Sequence, residues 1–199
     1  TSENTKRCAI TRPLFNQVVE SYIHDLKLDF DLRGMSEGAF ASYFSHSTMN
    51  NVTYEGTVHS SGSIYGEMNT YGTGVLANYA EYSTFTNIGM TGSLNLTFGH
   101  YYGLIARMYD TQVDGVNVVL NDVQINDTLQ FIHATGVFGY IGQRSKVHNV
   151  DLDVVKLYPA NNHPESWFAG VFNSTYNSSS SHIVIQKLNV EYQDIIFPL

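Results

Sequence analysis

A short motif returns along this chain at nearly constant spacing, and that recurrence restricts the fold more than any other feature. A Gly, two apolar residues and a small residue occur as Gly38-Ala39-Phe40-Ala41, Gly74-Val75-Leu76-Ala77, Gly103-Leu104-Ile105-Ala106, Gly136-Val137-Phe138-Gly139 and Gly170-Val171-Phe172-Asn173. The glycines lie 36, 29, 33 and 34 residues apart. A second block, apolar-x-Asn-apolar, follows as Met49-Asn50-Asn51-Val52, Phe85-Thr86-Asn87-Ile88, Val113-Asp114-Gly115-Val116 and Val147-His148-Asn149-Val150. Its last apolar residue stands 14, 14, 13 and 14 residues after the glycine. The final copy fits either Val184, at the same 14 residues, or a four-residue slip onto Ile185-Gln186-Lys187-Leu188. Near the start, Pro13-Leu14-Phe15 and Ile23-His24-Asp25-Leu26 continue the pattern. A unit of roughly 34 residues repeated about six times cannot bury its apolar face alone and must stack on its neighbours.

Within each unit the apolar residues alternate, as in Leu26-Lys27-Leu28-Asp29-Phe30 and Val150-Asp151-Leu152-Asp153-Val154. Period two is the signature of strands with one buried face. Aromatics make up 13% of the chain and charges only 14%, a balance that suits pleated, half-buried surfaces better than long helices. The expected fold is all-β, a single-stranded parallel β-helix, or β-solenoid, of about six coils. At about 4.8 Å per rung the stack would be a rod roughly 30 Å long. Residues 1–11 read as an N-terminal extension, 12–192 as the solenoid repeats and 193–199 as an apolar C-terminal tail. The repeated Gly reads as a corner with positive φ or close backbone approach. The repeated Asn suits left-handed turn backbone and could stack as a side-chain ladder, interrupted at Asp25 and Gly115. Length variation is expected in the stretch leading to each Gly, on one face of the stack.

The pair Gly136-Val137-Phe138-Gly139 and Val147-His148-Asn149-Val150 resembles the GLUG repeat, in which Gly-Leu-Val/Phe-Gly precedes a polar turn and Ile-x-Asn. The resemblance spans roughly residues 12 to 188. Only the copy at Gly136 keeps both motif glycines, and the doubled Gly common in the family is missing. The resemblance implies a β-solenoid of a bacterial or protist surface protein with an adhesive role, and it implies no catalytic residues.

A net charge of −8 gives no basic footprint for nucleic acid and disfavours anionic lipid. No apolar run approaches the ~18 residues of a membrane-spanning helix, so no membrane insertion is expected. The single cysteine, Cys8, allows no internal disulfide and reads as a free thiol or an intermolecular link. The chain starts at Thr1, with no initiator Met or signal peptide, as a processed chain or an excised piece would. Five sequons, at Asn51, Asn95, Asn126, Asn173 and Asn177, point to a glycosylated extracellular or cell-surface protein if the source is a eukaryote. Asn51 also occupies the repeated Asn position, which makes Asn95, Asn173 and Asn177 the better candidates.

The chemistry-bearing residues give weaker patterns. With a constant 14-residue register, His24, His148 and His182 share one repeat position, and the last two would be neighbours. No third ligand accompanies them, so no metal site is expected. Asp29 with Asp31, and Asp151 with Asp153, are the carboxylate pairs a polysaccharide-active β-helix enzyme would need. Each pair reads instead as a solvated strand face, and no catalytic residues or cofactor are expected. Tyr65, Tyr71, Tyr79, Tyr82, Tyr101 and Tyr102 gather in the variable stretches and near the Gly blocks. A glycan-binding strip would use exposed rings in this way, with Tyr101 and Tyr102 as its centre. The ends carry no amphipathic capping helix, and Ile195-Ile196-Phe197-Pro198-Leu199 is an apolar tail that needs cover. Unpaired strand edges invite another subunit. These features together predict a structural or adhesive surface module, a filament-forming or multidomain glycoprotein that self-associates end to end. The alternatives are a carbohydrate-binding module for surface glycans and a polysaccharide-active enzyme.

Overall fold

The computed structural model describes residues 9–33, 39–59, 73–97, 100–127, 131–160, 162–175 and 182–197. Gly38, Tyr65, Tyr71, Cys8 and Asn177 lie outside the described residues. The chain is all-β among those described. Strand β1 is Ala9–Ile10, β2 Phe15–Val19, β3 Tyr22–Asp29 and β4 Asp31–Arg33. The next unit holds β5 Ala41–Ser45 and β6 Thr48–His59, followed by β7 Ala77–Glu81 and β8 Thr84–Leu96. Three-strand units come after these. They are β9 His100–Tyr102, β10 Ile105–Tyr109 and β11 Gln112–Ile125, then β12 His133–Thr135, β13 Phe138–Ile141 and β14 Lys146–Tyr158. The last comprises β15 Trp167–Ala169, β16 Phe172–Thr175 and β17 Val184–Ile195.

Three parallel sheets result. The long sheet runs β1-β4-β6-β8-β11-β14-β17, with β3 also on β6; the second runs β16-β13-β10-β7-β5-β2; the third runs β15-β12-β9. Every ladder pairing between these strands is parallel. Each strand thus pairs with its counterpart one repeat away, an arrangement compatible with a parallel β-helix.

Alternation sets which side chains fill the interior. Leu26, Val52, Ile88, Val116, Val150 and Leu188 form one column across the long sheet. Leu28, Tyr54, Met90, Val118, Leu152 and Val190 form the next inward one. From β6 to β14 these residues are buried in one continuous apolar core with Phe85 of the same sheet and with Phe40, Phe44 and Phe138 from the other side. Each large buried side chain contributes about 1.5–3 kcal/mol by leaving water.

Two columns of left-handed backbone bend the chain, one inside the strands of the long sheet and one at the corner between the second sheet and the long sheet. The repeated Asn position is one: φ is 51° at Asp25, 55° at Asn51, 52° at Asn87, 71° at Gly115, 53° at Asn149 and 56° at Lys187. The second, unforeseen in the sequence, comprises Glu20, His46, Tyr82, Asp110 and Arg144, with φ from 47° at His46 to 58° at Arg144. A hydroxyl residue follows each member of it: Ser21, Ser47, Ser83, Thr111 and Ser145. Ser47 Oγ accepts the Ser21 N–H at 2.9 Å and donates to Ser45 O at 2.7 Å. Ser83 Oγ accepts the Ser47 N–H at 3.2 Å, and Ser145 Oγ that of Thr111 at 3.4 Å. Corner backbone that turns inward would otherwise bury N–H groups without partners.

The motif glycines act in both expected ways. Gly103 has φ +67°, whereas a Cβ on Gly74 would stand 2.2 Å from Ala77 O and 2.7 Å from Ala106 N. The last repeat settles on the slipped register: Ile185 pairs with Val147 and Leu188 with Val150. Core-facing side chains fix this register, so the extra residues fall between β16 and β17. Length variation is therefore not confined to the stretch before each Gly.

Candidate functional site

The second sheet presents an outward column of Gln17, Tyr43, Tyr79, Arg107, Tyr140 and Ser174. Tyr43 and Tyr79 stack at 5.5 Å and 16°, and Tyr79 and Tyr109 at 5.5 Å and 26°. Arg107 lies over the Tyr140 ring at 5.2 Å. Glu81 sits beside the column, accepting hydrogen bonds from Tyr43 Oη and, at 3.4 Å each, from Tyr79 Oη and Ser45 Oγ. Its carboxylate raises the Tyr43 pKa, and burial pushes Tyr79 up to about 12. The third sheet carries a parallel ladder. His100 and His133 stack at 4.7 Å, and His133 and Trp167 at 4.6 Å, with Phe131 5.2 Å from His133. Burial lowers the His100 pKa to about 4 and lowers His133 as well, so both rings are neutral at pH 7. In both ladders the rings cover one another's faces. That geometry ties repeats together through stacking worth about 0.5–1.5 kcal/mol per pair, and it withholds ring faces from a sugar.

Tyr101 and Tyr102 do not form an exposed strip. They are 0% and 2% exposed, and Tyr101 Oη lies 3.6 Å from Met90 Sδ. Tyr101 points into the apolar core, while Tyr102 keeps the strand alternation and lies on the outer face, stacked on His100 at 6.1 Å and 11° and covered by its neighbours there. Tyr102 packs edge-on to Tyr140 at 5.6 Å. Tyr82 does stand on the surface, stacked on His46 at 4.9 Å.

The histidine column keeps His24 and His148, four rungs apart, and loses His182. In the slipped register His148 faces Asp114 and Gln186, and His24 faces Asn50. His182 precedes β17 and is not a neighbour of His148. No group of three or more His, Cys, Asp or Glu side chains gathers among the described residues. One member of each carboxylate pair has a structural partner: Asp31 Oδ1 accepts the Thr57 N–H at 2.9 Å, and Asp153 accepts from Gln193 Nε2 at 2.9 Å. Asp127 is buried at the turn after β11, where it accepts the His163 N–H at 2.7 Å, the Asn162 N–H at 3.1 Å and Asn162 Nδ2 at 3.0 Å. Burial alone would push its pKa up; these donors overcome that and hold the carboxyl well below the usual range.

The Asn position faces solvent. Instead of one continuous ladder, Asn51 bonds the residue next to it in the column, Asp25, whereas Asn87 and Asn149 reach the residue before the column position one repeat back. Asn51 Nδ2 donates to Asp25 Oδ1 at 2.5 Å, Asn87 Nδ2 to Asn50 Oδ1 at 3.3 Å and Asn149 Nδ2 to Asp114 Oδ1 at 2.5 Å. Of the sequon residues, Asn51, Asn95 and Asn126 are exposed and Asn173 is half-buried. Asn126 lines an open cleft of about 460 Å³ with Gln124, Ile125, Tyr158, Pro159, Asn162 and Ile196.

The last strand breaks the burial pattern. Leu188, Val190 and Tyr192 occupy core-facing columns yet are 37%, 40% and 38% exposed, and Ile195 is 52% exposed. At the opposite end Leu14, Phe15, Val19 and Tyr22 are exposed, while Leu28, Phe30 and Leu32 are buried. Strand β1 lies against β4 there, pairing Ile10 with Leu32. Comparison with family models, with curated proteins and with solved structures finds no match to this chain.

Proposed function

We propose that the chain is a β-solenoid of about six coils serving as a structural, adhesive module of an extracellular surface glycoprotein, of the kind that the GLUG-like repeats imply. One observation carries the reading: an unbroken apolar interior runs through the repeats and ends at β17 with its core-facing side chains uncovered. A surface of that kind is completed by another layer of strands. The outward aromatics support it, because they bind repeat to repeat, and the acidic side chains described above serve hydrogen bonds of the fold. Solvent-facing Asn51, Asn95 and Asn126 offer sites for N-linked glycans. Electron microscopy of the native preparation tests the role. Regular filaments, or long rods containing this chain, are expected; isolated short rods with both ends covered by other chain segments would overturn it.

A further inference from the structure

Resting on that structural reading, we propose that the open face of β17 takes the first repeat of a second copy of this chain, in a defined register gated by β1. The columns of the long sheet give the register. Carrying them one step beyond β17 places Ile185 on Ile23, Leu188 on Leu26 and Val190 on Leu28 of the next copy. On the second sheet Phe172 meets Phe15 by the same extension. Both ends of this contact are short of cover: Leu188 and Val190 are exposed at one, and at the other Phe15 is exposed and Ile23 and Leu26 half-buried, with Leu28 already buried. The outer edge of β3 pairs with no described strand, and β17 pairs only with β14.

Charge favours the same match. Lys187 continues the left-handed column onto Asp25, and their φ values are 56° and 51°. Inside the chain an Arg already bridges to an Asp one repeat back in the neighbouring left-handed column, Arg144 to Asp110. Asn189 would face Lys27. Glu191 would face Asp29, a like-charge pair on the solvated face, beside the Lys27–Glu55 ion pair at 3.0 Å.

The far end of the contact is occupied. In that register Ile195 would sit over Leu32, where Ile10 of β1 now pairs. Ile10 and the incoming Ile195 compete for one place, so β1 limits assembly until it is displaced. A competing state that hides the site lowers the apparent affinity in proportion to its population.

Sedimentation velocity of the full chain across a concentration series reads the association constant. Lys187→Asp and Asp25→Lys are each expected to weaken association about tenfold through like-charge juxtaposition, and the chain carrying both substitutions to recover it. Ile10→Asp is expected to strengthen association about tenfold by freeing β4. Circular dichroism checks the fold of each variant. Asp25→Asn, which only removes the charge, replaces Asp25→Lys should that chain unfold, with a weakening of about threefold. Assemblies indifferent to either reversal, or unrepaired in the double variant, would overturn this register and leave the structural role standing. A chain that stays monomeric both as wild type and as Ile10→Asp would overturn the contact itself, and microscopy of the native preparation would then judge the structural role separately.

Discussion

Strands β14 and β17 are neighbours with the same alternation, but they live in different surroundings. Val150, Leu152 and Val154 are buried between repeats, whereas Leu188, Val190 and Tyr192 in the same columns stand over a third exposed. The first repeat lies between these extremes, since β1 covers Leu32 while Tyr22 and Phe15 stay open. Side-chain identity therefore does not decide burial in a stacked fold. The presence of a repeat on each side does, because each layer supplies half of its neighbour's core.

The sharpest way to break this comparison is a charge in equivalent columns. Leu152→Asp places a carboxylate in the interior and is expected to destabilise by about 4 kcal/mol or more. Val190→Asp, one strand on, is expected to change the stability of the isolated chain by less than about 1 kcal/mol. Urea unfolding of the two variants measures both, and equal losses would mean that β17 is covered. The hydroxyl column gives a smaller contrast. Ser47→Ala leaves the Ser21 N–H without its partner and should cost about 1–3 kcal/mol. Ser21 Oγ only donates to Val19 O at 2.8 Å, in an exposed setting, so Ser21→Ala should cost under about 0.5 kcal/mol by the same thermal or urea assay.

Left-handed backbone gives the next effect. Asn149→Ala is expected to cost about 1–2 kcal/mol, since φ of 53° is unfavourable for a residue with Cβ and no local hydrogen bond. Lys187→Asn should instead gain a few tenths of a kcal/mol, roughly the difference in left-handed preference. The least effect at neutral pH and a visible one in acid comes from His100 and His133. Their folded pKa values are lowered by burial, so between pH 6.5 and 4 the unfolded chain binds more protons. The stability they allow is whole above pH 6.5 and is lost as pH falls toward 4. Hydrogen exchange at pH 4.5 should show the repeats around His100, His133 and Trp167 opening before β5 to β8. His100→Phe should flatten the acid limb of the Tm profile.

Much of this was legible in the residues. The spacing of Gly74, Gly103, Gly136 and Gly170 marked the repeat, and the Asn block marked a left-handed turn that the φ values at Asn51, Asn87 and Asn149 bear out. The hydroxyl column was also within reach: Ser21, Ser47, Ser83, Thr111 and Ser145 each stand five residues before the apolar residue that closes the second block. Tyr101 is hidden because alternation sends it into the core, and Tyr102 because His100 and Tyr140 cover it on the outer face, contacts between repeats that a strand pattern does not reveal. The place of His182 hangs on the register of the last repeat, which sequence spacing leaves open and which the core residues Ile185 and Leu188 set.

Sequence alone determined the local geometry of this protein: period-two strands, left-handed turns at Asn and the length of the unit. These follow from backbone sterics and side-chain chemistry within a few residues. Only the tertiary structure decided which tyrosines are buried, how the last repeat is aligned and which core-facing side chains stay exposed. Those outcomes depend on residues some 34 positions away, brought into contact by stacking, where the fit of one layer's apolar face to the next outweighs any local preference.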